Sequence, residues 1–241
     1  MKISVIVPAF NEEKLLAASL REMRKAMGSF SNRGWETELV VCDNNSTDAT
    51  AELARAAGAR VVFEPVNQIA RARNAGAAAA TGDWFVFVDA DSHPSQELFA
   101  DVAKEVESGK CLAGGCTIYL DERHFLGDCT TVVWNLVSRV KKWAAGSFIF
   151  CSRKAFLAVG GFNRELFASE ELDFSNKLKK LAKSEGKRMV ILHRHPMVTS
   201  ARKVRLYSRS EWAVFMRKAI FSPRQTITNR DACTPWYDGR R

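Results

Sequence analysis

Apolar positions along this chain fall into short dense runs separated by helical spacings. Ile3-Ser4-Val5-Ile6-Val7 reads as a strand ended by Pro8. Leu15, Leu16, Leu20, Met23 and Met27 then recur at helical intervals. Asn11, Glu12 and Glu13 suit that helix's start, where a capping side chain and negative charge are favoured. Residues 37–42 predict a second strand, followed by Asp43-Asn44-Asn45-Ser46-Thr47-Asp48 and a helix that Gly58 stops. A third strand at 60–63 and an alanine-rich helix at 67–80 lead to Trp84-Phe85-Val86-Phe87-Val88. This five-residue apolar run predicts a strand buried on both faces, with Asp89 and Asp91 where it gives out. Strand and helix thus alternate over 91 residues, which predicts a parallel, doubly wound sheet.

The rhythm then changes. A helix at 96–107, a strand at 112–120, a loop at 121–128 and a helix at 131–142 follow; the last has an apolar face of Val133, Trp134, Val137 and Val140. A small-residue turn feeds a strand before residue 153, and Gly160-Gly161-Phe162 closes a short helix. Ser169-Glu170-Glu171-Leu172-Asp173 opens another helix. A strand at 189–192 ends in His193-Arg194-His195-Pro196, and residues 208–221 form a helix with Trp212, Phe215, Met216 and Ala219 on one side.

Polar residues follow three of the predicted parallel strands: Glu12, Asp43, and Asp89 with Asp91. Parallel strands gather such residues along the carboxyl edge, where open α/β sheets bind ligands. Paired carboxylates there suit Mg²⁺ or Mn²⁺ shared with substrate phosphates; Asp91-Ser92 could equally cap the following helix. Neither a G-x-G-x-x-G after the first strand nor a G-x-x-x-x-G-K-S/T is present, which removes the main support for dinucleotide and P-loop readings.

Composition adds two points. Cys42, Cys111, Cys116, Cys129, Cys151 and Cys233 are scattered, with no C-x-x-C, as expected for reduced thiols of a cytoplasmic protein. No run approaches the length of a membrane span, and the first residues lack a signal-peptide layout. The charge of +9 is uneven: residues 1–185 carry 23 Lys and Arg against 24 Asp and Glu, residues 186–241 carry 13 against 3. That block suits an anionic membrane face or a phosphorylated substrate. No helix-turn-helix, zinc-finger or RNP signature supports a nucleic-acid partner.

Six stretches in order resemble the motifs of family 2 glycosyltransferases: Val5-Ile6-Val7-Pro8-Ala9-Phe10-Asn11-Glu12-Glu13, Val40-Val41-Cys42-Asp43-Asn44-Asn45-Ser46-Thr47-Asp48, Ala72-Arg73-Asn74-Ala75-Gly76, Asp89-Ala90-Asp91, Gly160-Gly161-Phe162, and Glu170-Glu171-Leu172-Asp173. The resemblance spans residues 3–175 and fades after about 200. It implies an α/β protein of GT-A type: a Rossmann-like nucleotide-binding half (1–115) with a mostly parallel central sheet, fused to a smaller acceptor-binding half (116–203), then a basic helix and tail (204–241). It implies inverting transfer of a sugar from a UDP-linked or related nucleotide-sugar to a hydroxyl acceptor, such as a lipid-linked or cell-surface glycan precursor, with Mg²⁺ or Mn²⁺. Pro8, Phe10, Glu12, Asp43, Arg73 and Asp89 would then hold the nucleotide-sugar. Asp91 and Asp89 would hold the metal, as His195 does in some relatives, though a phosphate-facing or plain loop role for His195 stays open. Glu171 falls where the family has its base, with Glu170 and Asp173 as neighbours that could serve instead. Arg202, Lys203 and Arg205 would form a solvated face or meet the diphosphate or a phosphorylated acceptor. Residues 204–241 would supply peripheral contact with the inner face of a membrane, and Thr234-Pro235-Trp236-Tyr237 would dock on the body or on a second copy. The alternative is a non-catalytic relative that binds a nucleotide-sugar or partner and acts through the basic segment.

Overall fold

A computed structural model describes residues 1–122 and 125–237. The first strands are β1 (Lys2–Ala9), β2 (Glu36–Asp43), β3 (Arg60–Phe63) and β4 (Trp84–Val88), alternating with α1 (Leu16–Ser31), α2 (Thr50–Ala56) and α3 (Ile69–Ala79). There follow β5 (Ser92–His93), α4 (Gln96–Glu107), β6 (Cys111–Leu120), α5 (Phe125–Lys141), β7 (Phe148–Ser152), α6 (Arg153–Ala158), α7 (Glu170–Ser184) and β8 (Arg188–Thr199). The C-terminal part is helical: α8 (Arg202–Leu206), α9 (Arg209–Phe221), α10 (Pro223–Ile227) and α11 (Thr234–Tyr237). One sheet runs β3-β2-β1-β4-β7-β6-β8-β5. β1 to β4 are parallel, β7 is antiparallel to both its neighbours, β8 is parallel to β6, and β5 is antiparallel to β8. The sheet is therefore mostly parallel, as expected.

The apolar strands feed two cores because successive side chains point to opposite faces. Val86 and Val88 join Leu16, Leu20, Met23 and Phe99 on one face; Phe85 and Phe87 join Phe156, Phe162 and Phe174 on the other. α3 lies close against the second face through Gly76, where a Cβ would come 2.6 Å from Ile6 Cγ2. Gly76→Ala should cost about 1–3 kcal/mol by overpacking, seen as a lower urea midpoint with unchanged slope.

Four local expectations change. Pro8 lies within β1, not after it; beyond Ile6 that strand pairs with β2 alone, an edge-like setting that tolerates proline. α1 starts at Leu16 with no side-chain cap, because Asn11, in the left-handed region at φ 52°, accepts instead from the Thr47 amide and ties two loops together. β8 continues through His193–Pro196 to Thr199. The break read there is a bulge, in which His193, Arg194, His195 and Pro196 stand opposite Thr117 alone. α5 begins at Phe125, inside the predicted loop. The side chains of Lys203, Phe215, Met216 and Ala219 lie outside the described residues, as do residues 238–241.

Candidate functional site

The carboxyl ends of β1, β2 and β4 lie side by side, with Ala9 in register with Asp43 and the Asn44 amide bonded to the Ala9 carbonyl at 2.8 Å. Above them opens a cleft lined by Pro8, Phe10, Glu12, Asn44, Asn67, Asp89, Asp91, Arg202, Trp236 and Tyr237. Five of the sequence-predicted donor and metal residues meet here: Pro8, Phe10, Glu12, Asp89 and Asp91.

Asp43 and Arg73 do not line it. Asp43 is buried, and its Oδ1 accepts from the Ser46 amide at 3.0 Å. Its neighbour Asn44 faces the cleft and fixes the 64–68 loop through bonds to the carbonyls of Glu64 and Val66 and the Gln68 amide. Arg73 is 1% exposed beneath the cleft. It donates to Glu170 Oε1 at 2.5 Å, Asp89 Oδ1 at 3.0 Å and the Gly146 carbonyl at 2.9 Å, and its guanidinium lies over the Phe162 ring. Desolvation works against its charge, but Asp89, Glu170 and Glu171 outweigh that and hold its pKa above the ordinary value. Arg73 thus links the end of β4 to the start of α7.

A second guanidinium closes the other side. Arg202 forks onto both oxygens of Glu12 at 2.8 and 2.7 Å, and its Nη2 lies 3.4 Å from Asp91 Oδ2. Despite desolvation its pKa is raised by Glu12 and then Asp91. Among the described residues its buried Nε has no hydrogen-bond partner, so a donor is left for an oxyanion.

The three acids of the first turn of α7 separate. Glu170 is 4% exposed and held by Arg73; Asp173 pairs with Lys177 at 2.8 Å. Glu171, half-buried, is engaged by no salt bridge among the described residues. Burial, then the charge of Glu170, push its pKa up to about 8 against a partial offset from Arg73. Gly146 makes room for this convergence: a Cβ there would stand 3.2 Å from Arg73 Nη2 and 3.8 Å from the Glu171 carboxyl carbon.

His195 does not join the aspartates. Its Nδ1 lies 2.9 Å from Asp101 Oδ2 on α4, and no group of three or more His, Cys, Asp or Glu suited to a metal occurs among the described residues. The C-terminal segment docks on the body. The Tyr237 hydroxyl accepts from the Ile69 amide at 3.3 Å, its ring meets Phe167 edge-on, and the Phe167 amide bonds the Ile227 carbonyl at 2.7 Å. Sequence reasoning missed Asn44, Trp236 and Tyr237 as cleft residues. The signals for them were the polar residue directly after β2 and two aromatics in an otherwise polar tail.

The model of glycosyl transferase family 2 matches residues 4–157. The chain belongs to that family. Among its relatives, a dolichol-phosphate mannosyltransferase of Pyrococcus furiosus is 30% identical over 123 residues, covering 48% of this chain and 33% of that protein. A mannosyltransferase from Pyrobaculum calidifontis, solved with GDP-Man and Mn²⁺, superposes with a TM-score of 0.67 at 22% identity over 90% of this chain and 60% of that one. S. aureus TarS residues 1–349 give 0.64 at 19% over 90% and 64%. The fold of this family 2 member is thus that of GT-A glycosyltransferases. The chain spans about a third of the length of the first curated relatives it matches.

Proposed function

We propose that this family 2 chain moves a sugar from a nucleotide-sugar to a hydroxyl acceptor, with inversion and with a divalent metal. The observation that carries the reading is one cleft holding Glu12, Asp89 and Asp91 at adjacent strand ends, with Arg202 beside them and Glu171 close to Arg73 and Asp89. Phe10 and Pro8 offer apolar surface to the nucleoside, and Asn67, whose buried Oδ1 has no hydrogen-bond partner among the described residues, offers a polar edge to its base. The Arg202 Nε–H is a donor for the diphosphate.

The donor set fits a hard cation. Asp89 and Asp91 supply oxygen ligands only, and Mg²⁺ or Mn²⁺ usually takes one or two carboxylates plus substrate phosphates rather than an all-protein cage. When bound, such an ion would neutralise charge on the departing diphosphate. Arg202 supplies positive charge at the same edge. Glu171 accepts the proton of the acceptor hydroxyl as its oxygen forms a bond to the anomeric carbon and the bond to the diphosphate breaks; attack opposite the leaving group inverts that carbon.

The test is thermal stability against UDP, GDP and their sugars, with and without Mn²⁺. A ligand at about 100 times its Kd adds roughly 2.7 kcal/mol, a Tm rise of about 5–10 °C for a chain of this size. One nucleotide should give that rise only with metal, and Asp91→Ala should abolish it. A rise that ignores metal, or survives Asp91→Ala, would refute the metal assignment, and no rise with any ligand would refute the donor site.

A further inference from the structure

α5 turns part of its apolar pattern outward. Two of its polar residues face the protein: Asn135 bonds both the amide and the carbonyl of Ile118, and Ser138, fully buried, donates to the Trp143 carbonyl. Four of its apolar residues face water. Val132, Val133, Leu136 and Val140 are 62–70% exposed, and exposed Cys129 continues their row by one turn. The helix is fixed in this pose by Asn135, so rotation cannot hide the stripe without orphaning two backbone groups of β6.

Cations gather at one end of the stripe. Arg139, Lys141 and Lys142 are exposed. Lys179 of α7 bonds the Lys141 carbonyl at 2.8 Å and lies over the half-buried Trp143 ring. The only acid in α5, Asp128, is at the opposite end. An apolar stripe with Lys, Arg and a Trp beside it is the layout of a helix lying in a lipid interface. A second copy fits less well, since four side chains fall short of the roughly 800 Å² per partner of a standard protein interface.

We infer that the outer face of α5 docks this chain on an anionic lipid bilayer. Val132, Val133, Leu136 and Val140 enter the headgroup boundary, and Arg139, Lys141, Lys142 and Lys179 meet lipid phosphates. The contact lies on a different element from the basic C-terminal segment.

The experiment is flotation of the chain with phosphatidylglycerol–phosphatidylcholine vesicles and with pure phosphatidylcholine vesicles. Binding is expected to the anionic vesicles and to weaken by at least about tenfold in high salt, on neutral vesicles and in Leu136→Asp. Leu136 is exposed, so the variant should keep the parent's Tm. A polarity-sensitive dye on Cys129, the exposed cysteine of the six, should shift to the blue with anionic vesicles in the unmutated sequence. No binding to either vesicle overturns the inference. So does equal binding by the parent and Leu136→Asp, which would move the contact to residues 204–237. So does a dimer in ultracentrifugation that Leu136→Asp dissociates and anionic vesicles do not.

Discussion

Glu171→Gln is expected to lower kcat by roughly 10²–10⁴-fold, the usual worth of a positioned general base, with nucleotide-sugar affinity nearly unchanged. Asp173→Asn should cost little, because Asp173 is paired with Lys177. The pH profile supplies a second readout. Burial and the charge of Glu170 push Glu171 up to about 8. A base must be deprotonated to act, so kcat/KM should climb with pH through that value and the climb should vanish in Glu171→Gln. Stability should move the other way. The folded pKa lies above the unfolded value of 4.5, so between the two the folded state holds a proton that the unfolded state has released, and stability falls as pH rises through this window. Glu171→Gln removes that loss and should raise Tm at pH 8. A variant with parental kcat would end the assignment of Glu171 as base.

The second large effect is Arg73→Met, expected to destabilise the fold by about 3–5 kcal/mol. Removing one partner of a buried ion pair leaves an uncompensated charge, and here it would leave two, Glu170 and Asp89. Arg73→Lys should recover part of the loss, since an ammonium keeps the charge but lacks the fork that spans Glu170, Asp89 and the Gly146 carbonyl. Arg73→Met combined with Glu170→Met should be milder than Arg73→Met alone. Urea denaturation measures all three. A loss below about 1 kcal/mol for Arg73→Met would mean that the acids find water or protons at no cost.

Local signals carried the parallel half. The apolar runs at β1, β2 and β4 and the carboxylates just past β1 and β4 gave both the strand order's logic and the edge where Glu12, Asp89 and Asp91 meet. What local patterns could not show were contacts made across long separations. Arg202 reaches Glu12 over 190 positions and Tyr237 reaches Ile69 over 168, and no periodicity encodes such a pairing. Arg73 read as a nucleotide contact and its burial was not legible, because burial of a guanidinium depends on acids supplied by the end of β4 and by α7. His195 read as the end of a strand because Pro196 marks a real irregularity, which the sheet absorbs as a bulge. The valines of α5 misled for the opposite reason: helical spacing identifies a face but not the direction in which it points, and Asn135 decides that.

Those long contacts give the cleft a place in time as well as in space. During synthesis Glu12, Asp89 and Asp91 emerge well before the cation at Arg202, and the aromatic wall at Trp236 and Tyr237 emerges after that. A growing chain therefore holds its acids together without the guanidinium that offsets them, and it cannot finish the cleft until nearly every residue described here has been added. If the cleft takes a nucleotide as proposed, its binding needs the chain through Tyr237, and a donor analogue would distinguish molecules that carry this segment from ones cut before it.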